Sequence, residues 1–412
     1  MISCRACGSA QLIPRFSLGS QMLSEFPKPT EPLPKAYPLN LVECQDCTLV
    51  QLDYTVPRDE IYKHYWFLSS TSQQNVEALR DVVKSLHKRV QIQQDDIWVD
   101  VGSNDGTLLK QVSNSCVRIG YEPAENLTKN YPVGTICINN YFNKEDYESI
   151  TPISKKKAKV VTAIACFYDL EEPHKFVEDV KQILAPDGLF VVQQNYLVSM
   201  LVNNVYDNIC HEHVAYYSLR SIESVLSAHD LEVVDVELND INGGSFRTYI
   251  QHKGVSKPKQ SVRNLRKYEE RQLTPQAWVE FKERVELTRT KLVEFLTDAK
   301  SRGKRVMGIG ASNRGHVILQ YCEIGPSLVQ AFVERHPDKI GRTTVTRIPI
   351  VDEEVFQHAN PDYVLVLPYH LRASIITRYL EYLDKGGHLI LPLPTPRVIG
   401  KSGNTLTSRQ IK

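Results

Sequence analysis

The sequence predicts an α/β protein made of two Rossmann-like domains and a small metal-stapled amino-terminal lobe. Three observations predict it. Apolar strands at Ile97–Val101 and in RVMGIGASNRG each run into a glycine-rich turn, strand and helix patterns alternate after each turn, and two C-x-x-C pairs precede both. Alternating strands and helices are the mark of a parallel, doubly wound sheet.

Length and charge bound the rest. A chain of 412 residues implies two to three domains at ~150 residues each. Lys and Arg total 49 against 48 Asp and Glu, so no global field favours nucleic acid or an anionic membrane. No apolar run approaches the ~18 residues of a membrane span. The start, MISCRACGSA, lacks the layout of a signal peptide, so the expected compartment is the cytoplasm. Nine cysteines are then not read as a disulfide framework.

The amino-terminal lobe rests on four of them. Cys4 and Cys7 form one C-x-x-C and Cys44 and Cys47 another, separated by 36 residues. Each pair sends two thiolates from one tight turn to one ion, and two pairs complete a closed tetrahedral site, which fits structural rather than catalytic zinc. A redox pair would need a βαβ context that residues 1–50 lack. The segment between the pairs carries Pro27, Pro29, Pro32, Pro34 and Pro38 and reads as an ordered, extended excursion.

Next comes IWVDVGSNDGTLLK, read as a strand, a glycine turn and an amphipathic helix. Gly102 and Gly106 let backbone approach a ligand where side chains would block it. The following strand, VRIGYEP, ends in Glu122, twenty residues past Gly102, where a carboxylate can accept both hydroxyls of a ribose. Asn104 stands where a dinucleotide fingerprint has its second glycine, which argues against NAD here. Asp100 ahead of Gly102, with Ser103, Asn104 and Gly106, matches the D-V-G-x-x-x-G form of S-adenosylmethionine (SAM) methyltransferases. An ordinary strand-turn-helix is the bland alternative.

Strands at Val160–Ala165 and Gly188–Gln193 flank the helical pattern PHKFVEDVKQIL. Residues 256–303 are charge-rich with apolar residues at helical spacing, broken near Thr274-Pro275, and read as a helical connector. The second glycine unit has Gly308, Gly310 and Gly315 after a strand, and Glu334 at the end of the next. Gly315 stands five positions past Gly310, where the dinucleotide fingerprint has three. It therefore sustains an NAD(P)-dependent oxidoreductase only as a rival. The expected parts are a zinc lobe at 1–72, a SAM-binding domain at 73–255, the connector at 256–303 and a Rossmann-like domain at 304–412.

The chemistry concentrates in the middle. His211-Glu212-His213 lacks the spacing of a zincin helix. In an extended segment the two histidines could share a side, and an imidazole tuned by a carboxylate suits a general base. A polar loop making structural hydrogen bonds is the equal alternative. Asn242, Ser245 and Arg247, around two glycines, could bind phosphate or sugar hydroxyls or simply close a hairpin. Ser69, Ser70 and Ser72 follow an aromatic run beginning at Tyr65, and would line a carbohydrate pocket or cap the next helix.

In this order the pieces resemble the nucleotide-sugar C-methyltransferases of deoxysugar biosynthesis, the family of C-3 methyltransferases for 4-keto sugars. The resemblance runs through the four cysteines, FLSSTS, VDVGSNDG, YEPA, FYDLEEP, ICHEHVAYYSL, NGGSFR, GIGASNRG, YCEIG and YVLVLP. It implies a zinc lobe, a SAM domain and a carboxyl-terminal domain that helps hold a keto-deoxysugar carried on dTDP or GDP, with a monomer sufficing. It also implies His213 as the base that removes the C-3 proton, Glu212 and His211 as its neighbours, and Tyr65 near the sugar. Some members of the family have a tyrosine where this chain has Cys210, so Tyr206, Tyr216 or Tyr217 would have to replace it. Asn140 stands where members often carry an aspartate near the adenine, and another branch has a histidine within the FYDLEEP stretch. Methylation at another carbon or at a sugar oxygen is the remaining alternative within the fold, and a zinc ribbon that binds nucleic acid lies outside it.

Overall fold

The computed structural model describes residues 2–61, 66–150, 156–403 and 405–411. The chain divides into two compact units. The first comprises Met1–Arg15, Leu41–Val198 and Glu212–Leu273, and the second Phe16–Asn40, Ser199–His211 and Thr274–Lys412.

In the first unit, seven strands run in the order Leu231–Asn239, Ser245–His252, Leu184–Asn195, Ala158–Ile164, Ile97–Val101, Val117–Tyr121, Thr135–Ile138. The last five pair in parallel, whereas Ser245–His252 is antiparallel to both neighbours. Every residue of Ile97–Val101 is buried, as expected of a strand covered on both faces. The order of winding reverses between this strand and Ala158–Ile164, and ligands of open α/β sheets bind beyond the carboxyl ends at such a point.

Helix Pro173–Ile183 begins with proline in its first turn, where the missing N–H costs nothing. It buries Phe176, Val177, Val180 and Ile183, a helical stripe. Helix Leu219–Ser227 is closed by a reciprocal capping box between Ser218 and Ser221. The helix expected directly after Gly106 is absent: Leu109–Gln111 makes a single 3₁₀ turn. Asp105 Oδ1 accepts from the Thr107 amide and hydroxyl (3.2 and 2.5 Å), a local bond that competes with helical pairing. The chain then re-enters the sheet at Val117.

The second unit has its own seven-stranded sheet, ordered Ile350–Val351, Phe332–Val333, Val306–Ile309, Tyr363–Val366, His388–Leu391, Arg397–Ser402, Thr405–Gln410. The first five strands are parallel and the last two antiparallel. The connector is two helices, Gln260–Gln272 and Pro275–Ser301, and the boundary between units falls in the break between them. Thr274 caps the second by accepting from the Ala277 amide at 3.3 Å.

The proline-rich excursion between the cysteine pairs is ordered and belongs to the second unit. The Thr343 amide donates to the Pro27 carbonyl at 2.9 Å, Arg342 to Phe26 at 3.0 Å and Arg347 to Glu31 at 2.7 Å. Among the described residues no helix is long and apolar enough to cross a membrane.

Candidate functional site: a glycine turn, a buried acid cluster and a four-cysteine centre

The four cysteines meet. Their Sγ atoms lie within 4.8 Å of one another, with Cys4–Cys47 at 3.4 Å and Cys7–Cys44 at 3.5 Å. A tetrahedron with ~2.3 Å metal–sulfur bonds needs sulfurs roughly 3.8 Å apart, so the set fits zinc with no open position. Each knuckle is closed by its own backbone: the Gly8 amide donates to the Cys4 carbonyl and the Thr48 amide to the Cys44 carbonyl.

At the end of Ile97–Val101 the chain turns through Gly102 (φ +65°), Asn104 (φ +52°) and Gly106 (φ +72°). A Cβ on Gly102 would stand 2.9 Å from Cys166 Cβ, so the turn is pressed against the loop that follows the strand across the switch point. Ser103 is held by the Tyr121 carbonyl and the Tyr131 hydroxyl (3.1 and 2.7 Å). Glu122 is buried, and its two oxygens take the Asn104 and Ala124 amides at 2.9 and 2.8 Å. A carboxylate offers about four acceptor sites, so capacity remains for two ribose hydroxyls. Burial pushes the Glu122 carboxyl above its ordinary range, against the pull of those amides.

Asp100 is more deeply placed. Its Oδ1 accepts from the Thr162 hydroxyl at 2.6 Å, and burial pushes its pKa up to about 7. The serine segment docks on the same turn. The Ser69 amide donates to Asn104 Oδ1 and the Ser70 amide to Asp105 Oδ2, at 2.9 and 3.1 Å. Ser72 precedes helix Gln73–His87 as its N-cap without a side-chain capping bond. Asn140 is exposed and engaged with Asp146 Oδ2 at 2.7 Å. Tyr65 lies outside the described residues.

The histidine run is divided between the units. The His211 ring is buried in the second, its Nε2 3.1 Å from the Tyr37 carbonyl. Glu212 and His213 belong to the first, where the His213 ring packs on Tyr168 with centroids 4.2 Å apart. Cys210 is buried, and the Tyr206 hydroxyl nearby in sequence lies 3.7 Å from Cys322 Sγ. Tyr217 is buried against Phe167.

Asn242 (φ +56°) and its two glycines form a tight turn, and Ser245 Oγ donates to the Ile241 carbonyl at 2.9 Å. Arg247 is buried and fully occupied, donating to Gln193, Asp81, Glu237 and the Tyr249 hydroxyl. Sequence reasoning passed over Asp169, which ends the 3₁₀ turn Phe167–Asp169 beside the switch point. The signal available was its place in the loop after the fourth strand, opposite Gly102.

Family models match along the chain: a zinc binding domain at residues 4–62, a methyltransferase domain at 72–236 and a C-methyltransferase C-terminal domain at 240–394. The C-methyltransferase NovU of Streptomyces niveus is 31% identical over 410 residues, covering 96% of each chain. Among solved structures, the YcgJ protein of Bacillus subtilis aligns with TM-score 0.33 and 13% identity over 43% of this chain and 100% of its own. The plantazolicin methyltransferase BpumL in complex with SAH aligns with TM-score 0.33 and 11% identity over 45% and 91%.

Proposed function

This chain belongs to the C-methyltransferase family, and from that premise we propose that it methylates C-3 of a nucleotide-linked 4-keto-6-deoxysugar. It is a SAM-dependent C-methyltransferase carrying a structural zinc. The sugar, its carrier and the carbon are the proposal. The reading is supported above all by the turn after Ala158–Ile164, where Cys166 abuts Gly102 and the adjoining Tyr168 packs on His213.

Bound SAM supplies a methyl group already activated by its sulfonium. The residues then have limited tasks. Glu122 would accept the ribose hydroxyls, and the Gly102–Gly106 turn would shape the cleft. Ser69 and Ser70 ride on that turn through their amides and would face the sugar. A 4-keto group acidifies the neighbouring C-3 hydrogen, and His213 would take that proton, oriented by Tyr168 and Glu212. A positioned base contributes ~10²–10⁴-fold to such a step. His211, Tyr65, Ser72, Asn140, Asn242, Ser245 and Arg247 complete the proposed set, with Arg247 acting by holding the sheet edge.

The test is incubation with SAM and either dTDP- or GDP-linked 4-keto-6-deoxysugars, followed by mass spectrometry and NMR. The expected product gains one methyl group at C-3 and loses its C-3 hydrogen. A methyl on oxygen or another carbon, or no transfer to any keto sugar, overturns the assignment.

A further inference from the structure

Of the acids around the glycine turn, three have hydrogen bonds to spend their charge on. Asp100 has Thr162, Asp105 has the Ser70 and Thr107 amides, and Glu122 has two amides. Asp169 differs. Its Oδ1 is sealed from solvent and finds no hydrogen-bond partner among the described residues, although the residue keeps a little surface. A buried carboxylate left without donors is costly, whereas a carboxylic acid in the same place carries a proton it can donate.

Its position is as specific as its chemistry. Asp169 ends the 3₁₀ turn that leaves the fourth strand at the carboxyl edge of the sheet. At the start of that turn, Cys166 Sγ donates to the Val101 carbonyl at 3.2 Å and its Cβ blocks Gly102. The intervening Tyr168 packs against the His213 ring, tilted at 56° with centroids 4.2 Å apart. One short turn therefore joins the glycine loop, the base and a spare acid at the switch point.

We propose that Asp169 is a further catalytic residue, a neutral carboxylic acid that donates a hydrogen bond to the substrate carbonyl oxygen as it becomes an enolate. This rests on the base-assisted C-methylation proposed above. Burial and the Glu212 carboxylate push the Asp169 carboxyl well above its ordinary range. The other titratable groups around this turn are Cys166, the Asp100 and Glu122 acids that face Cys166, Glu171 two positions on, and His213 against Tyr168. Acid neighbours favour retention of the proton.

The step balances without a co-reactant. His213 removes the hydrogen on the carbon beside the carbonyl, and the C–H electron pair moves into the enolate with its charge on oxygen. Asp169 shares its proton with that oxygen but keeps it. The enolate carbon then bonds to the methyl group as the methyl–sulfur bond breaks, leaving its electron pair on sulfur. The carbonyl re-forms, and the one released proton leaves from His213. A neutral acid is suited to this, because it stabilises the developing oxyanion without repelling it.

Two readouts test it: exchange of the C-3 hydrogen with D2O in the absence of SAM, and methyl-transfer turnover. Asp169→Ala is expected to lower both by ~10²-fold or more, the usual loss for one oxyanion donor. The affinity for S-adenosylhomocysteine should stay within about twofold of the parent, since the acid serves the enolate. Asp169→Asn keeps the shape and an N–H donor, so it should retain exchange and turnover within about tenfold. Equal loss in the two variants overturns the proposal, because a donor would then not be what matters. Near-parental exchange in Asp169→Ala overturns it as well. If the unmodified protein neither exchanges nor methylates any 4-keto sugar, the substrate reading fails and takes this role with it.

Discussion

The two glycine-rich turns of this chain follow the same plan of strand, turn and acid at the end of the next strand, yet they are built for opposite ends. The first turn is ringed by acids. Asp100, Asp105, Glu122 and Asp169 converge there, with burial raising Asp100, Glu122 and Asp169. The second turn is packed shut by apolar groups and basic ones. A Cβ at Gly308 would stand 2.1 Å from Phe332, one at Gly310 2.7 Å from Pro368, and one at Gly315 2.6 Å from Leu367. Lys339 is buried and donates to the Ala311 carbonyl at 2.8 Å, and Arg314 pairs with Asp207 at 2.7 Å under the Tyr369 hydroxyl. His316 is buried with neither ring nitrogen partnered among the described residues. The comparison teaches that a glycine pattern alone does not distinguish a ligand turn from a packing turn. What separates them here is the charge around them: acids gather at the first, whereas Lys339, Arg314 and His316 are buried at the second.

The largest expected effect concerns the metal. Cys44→Ser should lose the zinc and unfold the amino lobe, since structural sites of this kind are worth about 10–16 kcal/mol of binding at neutral pH. Elemental analysis and limited proteolysis check it. Retained metal-free stability would remove the structural role.

Catalysis should belong to the acid-ringed turn. His213→Ala is expected to cut methyl transfer by ~10²–10⁴-fold with S-adenosylhomocysteine binding almost unchanged by calorimetry. Near-parental turnover would end the base assignment.

The second turn should answer in stability instead. Arg314→Met leaves Asp207 buried without its cation, which should cost about 3–5 kcal/mol in denaturant unfolding. A variant of unchanged stability that loses activity would break the comparison by moving chemistry to that turn.

The smallest effects are in pH dependence, and their signs differ. The folded pKa of Asp100 is raised from 3.8 to about 7, so its stabilising proton is fully present below pH 3.8 and lost as pH rises through 7. His316 is lowered from 6.5 to about 3, so its contribution is present above pH 6.5 and lost as pH falls toward 3. Asp100→Asn should therefore raise the melting temperature at pH 8 and not at pH 4, and His316→Leu should raise it at pH 4.5 relative to the parent. Each should move the melting temperature in the direction stated, at about 2–4 °C per kcal/mol for a domain of this size. Hydrogen exchange followed separately in the two units at both pH values would sharpen the contrast. The same sign in both would dissolve it.

Several features are legible in the residues alone. Asp100, Gly102 and Glu122 stand at the carboxyl ends of two adjacent strands as their spacing predicts, and the doubled C-x-x-C declares its metal centre, because each device is made by residues close in sequence. Others are not. The helix expected after Gly106 is missing because Asp105 captures Thr107. Asp169 lies in the FYDLEEP stretch, but its significance comes from an oxygen that burial leaves without a partner among the described residues.

The sequence by itself determined the strands, the two glycine turns, the zinc knuckles and the break at Thr274, all of which depend on local geometry and on residues within a few positions. Tertiary structure alone decided where distant segments belong. Residues 16–40 leave the zinc lobe to bond with Arg342, Thr343 and Arg347, and His211 is assigned to Tyr37 while His213 is assigned to Tyr168. The reason is that a buried polar group must find its partner across the fold, and no spacing rule specifies which distant residue will be there to meet it.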